Sequence, residues 1–226
     1  MSILTATPVK GGSATLYGNL REDILFGRLG PGEKLKLADL RDRYTAGTNT
    51  LREVLTRLAT EGFVEAIDQK GFRVVETSPE HFAELARFRI LLETDAIRHS
   101  IRDGDLEWEG RVVAALHKLT QLEVRITEWQ EDRFAEWSAY DYGFHHALIS
   151  ACGSQLHLRT HRALFDQIRR YLLIEYNTQG FRGQELVNEH QAIGHAALDR
   201  DADLCIELMT DHLEFYIRAS RGETAE

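Results

Sequence analysis

Cysteine, proline and long apolar runs are all scarce in this sequence. Two cysteines, Cys152 and Cys205, occur in 226 residues. They are too few for a disulfide framework or a four-thiolate zinc site, and a reduced cytoplasm is the expected compartment. Three prolines exclude Pro-rich linkers and collagen-like repeats. No uncharged apolar stretch approaches the ~20 residues that a membrane span needs. The first ten residues lack a basic start leading into an apolar core, so no secretory signal is expected. Histidine is absent from the front of the chain: all ten lie at or after His81. Any imidazole chemistry therefore belongs to the later part.

What is present is a globular balance. Hydrophobic residues make up 43% and charged residues 28%, which excludes wholesale disorder. The net charge of −9 argues against a nucleic-acid partner at face value, but it is unevenly distributed. Residues 1–78 carry 11 Lys+Arg against 10 Asp+Glu, whereas residues 79–226 carry 16 against 26. The acidity belongs to the second part, and the first is free to present a local basic face.

The pattern along the chain divides it the same way. Residues 1–14 read as a flexible tail. Apolar residues Leu16, Leu20, Ile24 and Leu25 recur at helical spacing over 16–26. "GRLGPGEKL" (27–35) reads as a turn, 37–44 as a short helix, and "TAGTN" (45–49) as a tight connection with Gly47 available for the bend. A further helix covers 50–61, with Leu51, Val54, Leu55 and Leu58 on one face and Gly62 ending it. "FVEAI" (63–67) and "FRVVE" (72–76) alternate like two strands joined by "DQKG". After "TSPE" (77–80), where Thr77 or Ser78 can cap a helix beginning at Pro79, six helices fit: roughly 80–102, 105–129, 131–152, 155–178, 184–199 and 202–220. The expected architecture is mainly α. A winged helix-turn-helix over 15–76 is joined by a linker, 77–80, to an all-helical bundle over 81–220, and 221–226 form a tail.

A helix that reads DNA needs short polar groups and a donor at its leading end. Thr48, Asn49 and Thr50 supply the former at the helix start. Arg52, placed in the first turn, can make two hydrogen bonds to guanine or grip phosphate. Arg41 and Arg43 on the preceding helix are candidate phosphate contacts, and Lys70 at the wing tip can reach a groove or the backbone. Singly, each of these is as well explained as an ordinary solvated charge; the ordered pattern is the signal. The segments "LREDILFGRLGPGEKL" (20–35), "TLREVLTRLATEGFV" (50–64) and "QKGFRV" (69–74) resemble the GntR family of bacterial transcription regulators. That resemblance implies a DNA-binding domain in which the arginine of the "LRE" triplet, here Arg52, contacts the operator, and it carries the wing glycine onto Gly71. The chain departs just before the triplet. Family members commonly have a Ser-Arg-Thr-Pro-like stretch where this one reads Gly47-Thr48-Asn49-Thr50, so one usual contacting arginine is a threonine.

In the second part, Asp141 and His145 are four apart on an expected helix and project from one face. His190 and His212 lie eleven residues either side of position 201 in the turn "DRDA" (199–202), so an antiparallel hairpin brings them level. Together they form a set of three imidazoles and one carboxylate that can share a divalent ion and leave one or two positions open. Zinc is the expectation, and nickel and manganese suit the same donors. The plainer reading of an Asp-x-x-x-His pair is a surface pair or a cap. His146, His157, His161 and His195 read as structural or surface residues.

The segments "FRILLETDAI" (88–97), "YDYGFHHALISACGS" (140–154) and "EHQAIGHAALDRDADLCIELMTDHL" (189–213) resemble the all-helical FCD effector domain of the FadR subfamily, with a lean toward its carbon-starvation- and glutarate-responsive branch. Many members bind a metal through a D-x-x-F-H motif and two later histidines, which implies Asp141, His145, His190 and His212 as ligands. The family's arginine falls on Arg89, with Glu93 one turn later, which implies that these two residues bind an anionic effector. Ser154 stands where asparagine is common. The function implied is a homodimeric, metal-containing repressor that binds a palindromic operator and responds to a small carboxylate. The competing class is a metal-dependent hydrolase using the same site, with Glu93 as the conceivable general base.

Overall fold

The computed structural model describes residues 13–67, 71–126 and 133–223. The chain divides into two compact units, Met1–Thr77 and Ser78–Glu226. Part of the expected leading tail, the end of the trailing tail, the wing tip with Lys70, and the segment between the second and third bundle helices lie outside the described residues.

The first unit is built from α1 (Ser13–Leu25), β1 (Lys34–Leu35), α2 (Leu37–Tyr44), α3 (Thr48–Thr60), β2 (Val64–Ile67) and β3 (Gly71–Val74). The three strands form one antiparallel sheet in the order β1-β3-β2. Leu16, Leu20 and Ile24 of α1 meet Leu51, Val54, Leu55 and Leu58 of α3 in a single core that also takes in Leu40, Phe63, Val64 and Val74. Full burial of side chains of this kind contributes about 1.5–3 kcal/mol each. A buried carboxylate fixes α2 onto α1. Asp23 accepts from Arg28 Nε at 2.5 Å, from Arg43 Nη2 at 2.6 Å and from the Tyr44 hydroxyl. Burial, reinforced by Asp23, raises the Tyr44 phenol well above its ordinary value, so it serves only as a donor here.

Three local expectations change. The "GRLGPGEKL" turn ends in a short strand, because Lys34 and Leu35 pair with Arg73 and Phe72. The bend between α2 and α3 is made by Thr45, which takes the left-handed φ of 50°, while Gly47 is extended at φ −68°, ψ 147°. Gly47 thereby becomes the N-cap, and α3 begins at Thr48, two residues earlier than its apolar periodicity indicates. Polar residues at 48–50 carry no apolar signal for periodicity to detect.

The described residues of the second unit form six helices: α4 (Pro79–Asp103), α5 (Leu106–Glu123), α6 (Phe134–Ile149), α7 (Gln155–Gln179), α8 (Gln184–Leu198) and α9 (Ala202–Ser220). The starts of α4, α5, α7 and α9 are written in the sequence as side-chain caps. Ser78, Asp105, Ser154 and Asp201 accept from the backbone N–H of His81, Trp108, His157 and Leu204 at 3.1, 2.9, 3.3 and 3.0 Å. Serine at 154 therefore does locally what an asparagine would do, since both are good N-caps. α4 packs on α6, α7 and α9, α5 on α6 and α8, and α8 on α9. Trp108 is fully buried, and its Nε1 donates to the carbonyls of Ala147 and Leu148 at 3.0 and 3.2 Å. This ties α5 to the end of α6, just beyond His145. No helix among the described residues is long and apolar enough to cross a membrane.

The corner between α4 and α5 depends on Gly104. A Cβ there would stand 2.6 Å from both the Ser100 carbonyl oxygen and Trp108 Cδ2. Overpacking of this kind costs about 1–3 kcal/mol, and in a domain of this size each kcal/mol lowers the melting temperature by about 2–4 °C. Gly104→Ala should therefore melt several degrees below wild type by scanning calorimetry; an equal melting temperature would show that the corner has room.

Candidate metal and DNA-reading sites

In the second unit the sequence-expected ligands converge. Asp141 and His145 stand one turn apart on α6. The Asp199–Asp201 turn, with Arg200 at φ 63°, brings His190 of α8 and His212 of α9 to a ring-centroid distance of 4.8 Å. His145 lies 5.5 Å from the His212 ring and 6.0 Å from the His190 ring. The three imidazoles offer ring nitrogens within 4.8 Å of one another. Asp141 Oδ1 is 3.7 Å from His145 Nε2 and 3.6 Å from His190 Nε2. All four residues are buried.

Each ring nitrogen turned away from this centre meets a carboxylate. His145 Nδ1 lies 2.8 Å from Glu93 Oε2, His190 Nδ1 3.0 Å from Glu123 Oε1, and His212 Nδ1 2.8 Å from Glu189 Oε2. A carboxylate accepting from Nδ1–H leaves the Nε2 lone pair free and increases its basicity, the usual support of a ligating histidine. Nε2 of both His145 and His190 is buried with no hydrogen-bond partner among the described residues. A buried nitrogen without a partner costs about 1–3 kcal/mol, and a coordinated cation would remove that cost. The residues present therefore fit a divalent metal.

The protonation states of two of the four groups favour this fit. Burial holds the imidazoles of His145 and His212 below their ordinary range, His212 at about 4, so both are neutral and ready to ligate. Burial raises Asp141 to about 6, with His190 and Arg89 opposing the rise; a bound cation would restore its charge. Burial also acts to lower His190, but the Glu123 and Asp141 carboxylates outweigh it and leave the ring above its ordinary value.

Arg89 Nε donates to Glu93 Oε1 at 2.5 Å, and its Nη2 is buried without a partner among the described residues. A narrow cleft bordered by Arg89, Asp141, Trp137, His212 and Tyr216 adjoins the histidines; its free volume is about 10 Å³, space on the order of a single water. Glu93 is absent from that lining. Its carboxylate is shared by Arg89, His145 and His161, whose Nε2 is 2.8 Å away. Burial works to raise Glu93, but the Arg89 guanidinium, helped by its contacts with the His145 and His161 rings, holds it well below the usual carboxylate range, which makes it a poor general base. Its place is behind His145. Of the other histidines, His195 is exposed, His146 half-buried, and His157 pairs with Asp95 at 3.1 Å. His161 is buried and joined to Glu93. Glu123, Glu189 and the link through His161 have no signal in sequence spacing, because each meets its histidine across separate helices.

In the first unit, α3 starts without a side-chain cap, leaving the N–H groups of Thr48, Asn49 and Thr50 free of helical partners. Thr48 and Asn49 are exposed and Thr50 is half-buried. The earlier helix start moves Arg52 from the first turn to the fifth residue of α3, where it is exposed with no hydrogen-bond or ion-pair partner among the described residues. Arg41 is exposed beside Asp42. Arg43 is held in its ion pair with Asp23, and Arg57 donates to Glu61 at 3.1 Å and stacks over Tyr17. Gly71 takes φ 97°, a value that favours glycine, while Lys70 lies outside the described residues.

Comparison with known proteins places both units. Residues 13–74 match the profile of bacterial regulatory proteins of the gntR family, and residues 84–215 match the FCD domain. The chain is 38% identical to the HTH-type transcriptional regulator BphR of Paraburkholderia xenovorans (strain LB400), covering 91% of this chain and 83% of that one. It is 34% identical to the HTH-type transcriptional repressor GlaR of Escherichia coli (strain K12), covering 87% and 90%. A solved GntR transcriptional regulator from Rhodococcus sp. RHA1 superposes with a TM-score of 0.74 at 22% identity, covering 94% of this chain and 99% of that one, and supports the fold alone. The chain thus belongs to the gntR family of bacterial regulatory proteins, with an FCD domain following its DNA-binding module, and is a DNA-binding transcriptional regulator rather than an enzyme.

Proposed function

We propose that this regulator is a zinc-containing repressor whose operator binding is relieved by a small organic acid. The observation that carries the reading is the convergence of Asp141 and three carboxylate-backed histidines beside an arginine with an unpartnered Nη2. Asp141, His145, His190 and His212 would hold the ion; nickel and manganese accept the same donors, but four nitrogen and oxygen ligands in a buried site suit zinc. When bound, the ion supplies an electrophile for one end of a carboxylate in the cleft. Arg89 then bonds the other end through Nη2, a charge-assisted contact. Glu93 supports this from behind by fixing Arg89 Nε and His145 Nδ1. The name of the E. coli relative, a repressor, supports the direction of control.

On the DNA side, α3 would enter the major groove with Arg52 at a base edge and Thr48, Asn49 and Thr50 at its leading end. Arg41, Gly71 and Lys70 would approach the phosphates. One such helix reads few base pairs, which favours a homodimer on a palindrome. The effector acts by binding one arrangement of the dimer more tightly than the other.

Three measurements test the reading. Arg52→Ala should weaken operator binding in a gel shift by about 1–3 kcal/mol, roughly 5- to 150-fold; unchanged affinity would remove Arg52 from the interface. A His190→Ala/His212→Ala double variant, checked for retained helicity, should fall from one metal per chain toward none by elemental analysis, and stoichiometric metal would refute the ligand set. In calorimetry with small dicarboxylates and sugar acids, Arg89→Ala should lose about 1.5–3 kcal/mol of affinity, the worth of a charged hydrogen bond. Equal affinity in both proteins would exclude the arginine contact.

A further inference from the structure

Two of the carboxylates behind the histidines lead outward to one short loop. The four residues between α7 and α8 are Gly180, Phe181, Arg182 and Gly183, and both glycines take positive φ, 83° and 59°. Arg182 grips Glu189 with two nitrogens at 2.9 and 2.5 Å, and its guanidinium lies 3.5 Å from the centroid of the Phe215 ring. Glu189 in turn holds His212 Nδ1. Phe181 packs edge-on against Trp137 at 6.0 Å, and Trp137 Nε1 donates at 3.1 Å to Glu123, the carboxylate behind His190.

The three carboxylates differ in what restrains them. Glu93 and Glu123 have fully buried side chains, so they have no water to turn toward. Glu189 is 27% exposed, and a glutamate with open access to solvent swings between its protein partner and water. A two-point guanidinium contact is the interaction that fixes the plane of a carboxylate. Arg182 provides that contact, and its own side chain is only 9% exposed.

We propose that Arg182 is a positioning residue for the divalent-cation site: by clamping Glu189 it holds the tautomer and ring plane of His212, so that cation affinity depends on a loop residue that does not itself reach the cation. The proposal rests on the metal reading above. It gives the α7–α8 loop a defined influence on the site, and anything that displaces Arg182 from Glu189 loosens one ligand while leaving the other three in place.

The test titrates metal-free full-length protein with Zn²⁺ alone against a chromophoric chelator. Arg182→Ala should bind zinc about tenfold more weakly, the lower end of the range for losing outer support of a ligand. It should still reach the wild-type stoichiometry at saturation, with an unchanged circular dichroism spectrum. Arg182→Lys, which keeps the charge but not the two-point contact, should recover part of the loss. If Arg182→Ala fails to fold, Glu189→Gln replaces it, since the amide oxygen still accepts from Nδ1–H but the ion pair and the second oxygen contact to Arg182 are lost. Wild-type affinity in the folded variant used would overturn the proposal. A wild-type chain that takes up no zinc would overturn the metal reading itself, an outcome distinguishable from the first because it appears before any substitution is made.

Discussion

An ionisable side chain removed from water must find a partner or give up its charge, and the interior of the second unit removes a whole cluster of them together. Arg89, Glu93, Glu123, Asp141, His145, His161, His190 and His212 are all 4% exposed or less. The cost of burying isolated charges is severe, and it falls only when each group meets a complementary one. The helices cannot help, because their backbone groups are already satisfied by one another. The cluster therefore solves the problem internally: Glu93 takes three donors, Glu123 takes His190 and Trp137, and Glu189 at the rim takes His212 and Arg182. What this pairing leaves without a hydrogen-bond partner among the described residues is Nε2 of His145 and His190, Nδ1 of His161 and Nη2 of Arg89. The same constraint that makes the core expensive leaves the atoms to which the proposed cation and anion are assigned.

The first unit meets the same constraint with the opposite result for function. Asp23 is buried, and it is satisfied by Arg28, Arg43 and Tyr44. Fixing α2 onto α1 in this way commits Arg43 to the architecture, and the stacking of Arg57 on Tyr17 beside Glu61 does the same at the far end of α3. Arg52 is left exposed and without a partner among the described residues. Within a short basic module, the cations that build the fold and those free to meet a polyanion are thus distinguished by their carboxylate neighbours, not by their charge.

Much of this was legible in the residues. The helix succession is written in apolar spacing and in caps such as Ser78, Asp105 and Asp201, because a helix's start depends on local chemistry. The pairing of Asp141 with His145 follows from helical geometry, and that of His190 with His212 follows from equal distances to a four-residue turn. The two-residue strand β1 was not legible, since its pairing with β3 is a long-range event in a segment whose Gly-Pro-Gly composition signals only a turn. A bend was expected at Gly47, but the left-handed residue of the connection is Thr45, because the packing of α2 and α3 decides where the chain must reverse and overrides local preference.

Sequence by itself determined which residue types lie on which helical face, where the side-chain-capped helices begin, and that four metal-compatible donors fall on three helices; these depend on local chemistry and on periodicities of a few residues. Only tertiary structure decided which carboxylate stands behind which imidazole. It alone placed Glu93 behind His145 rather than in the cleft, and joined Arg182 to His212 through Glu189. Those contacts cross between elements far apart in the chain, and their register is set by the packing of side chains, to which no local spacing corresponds.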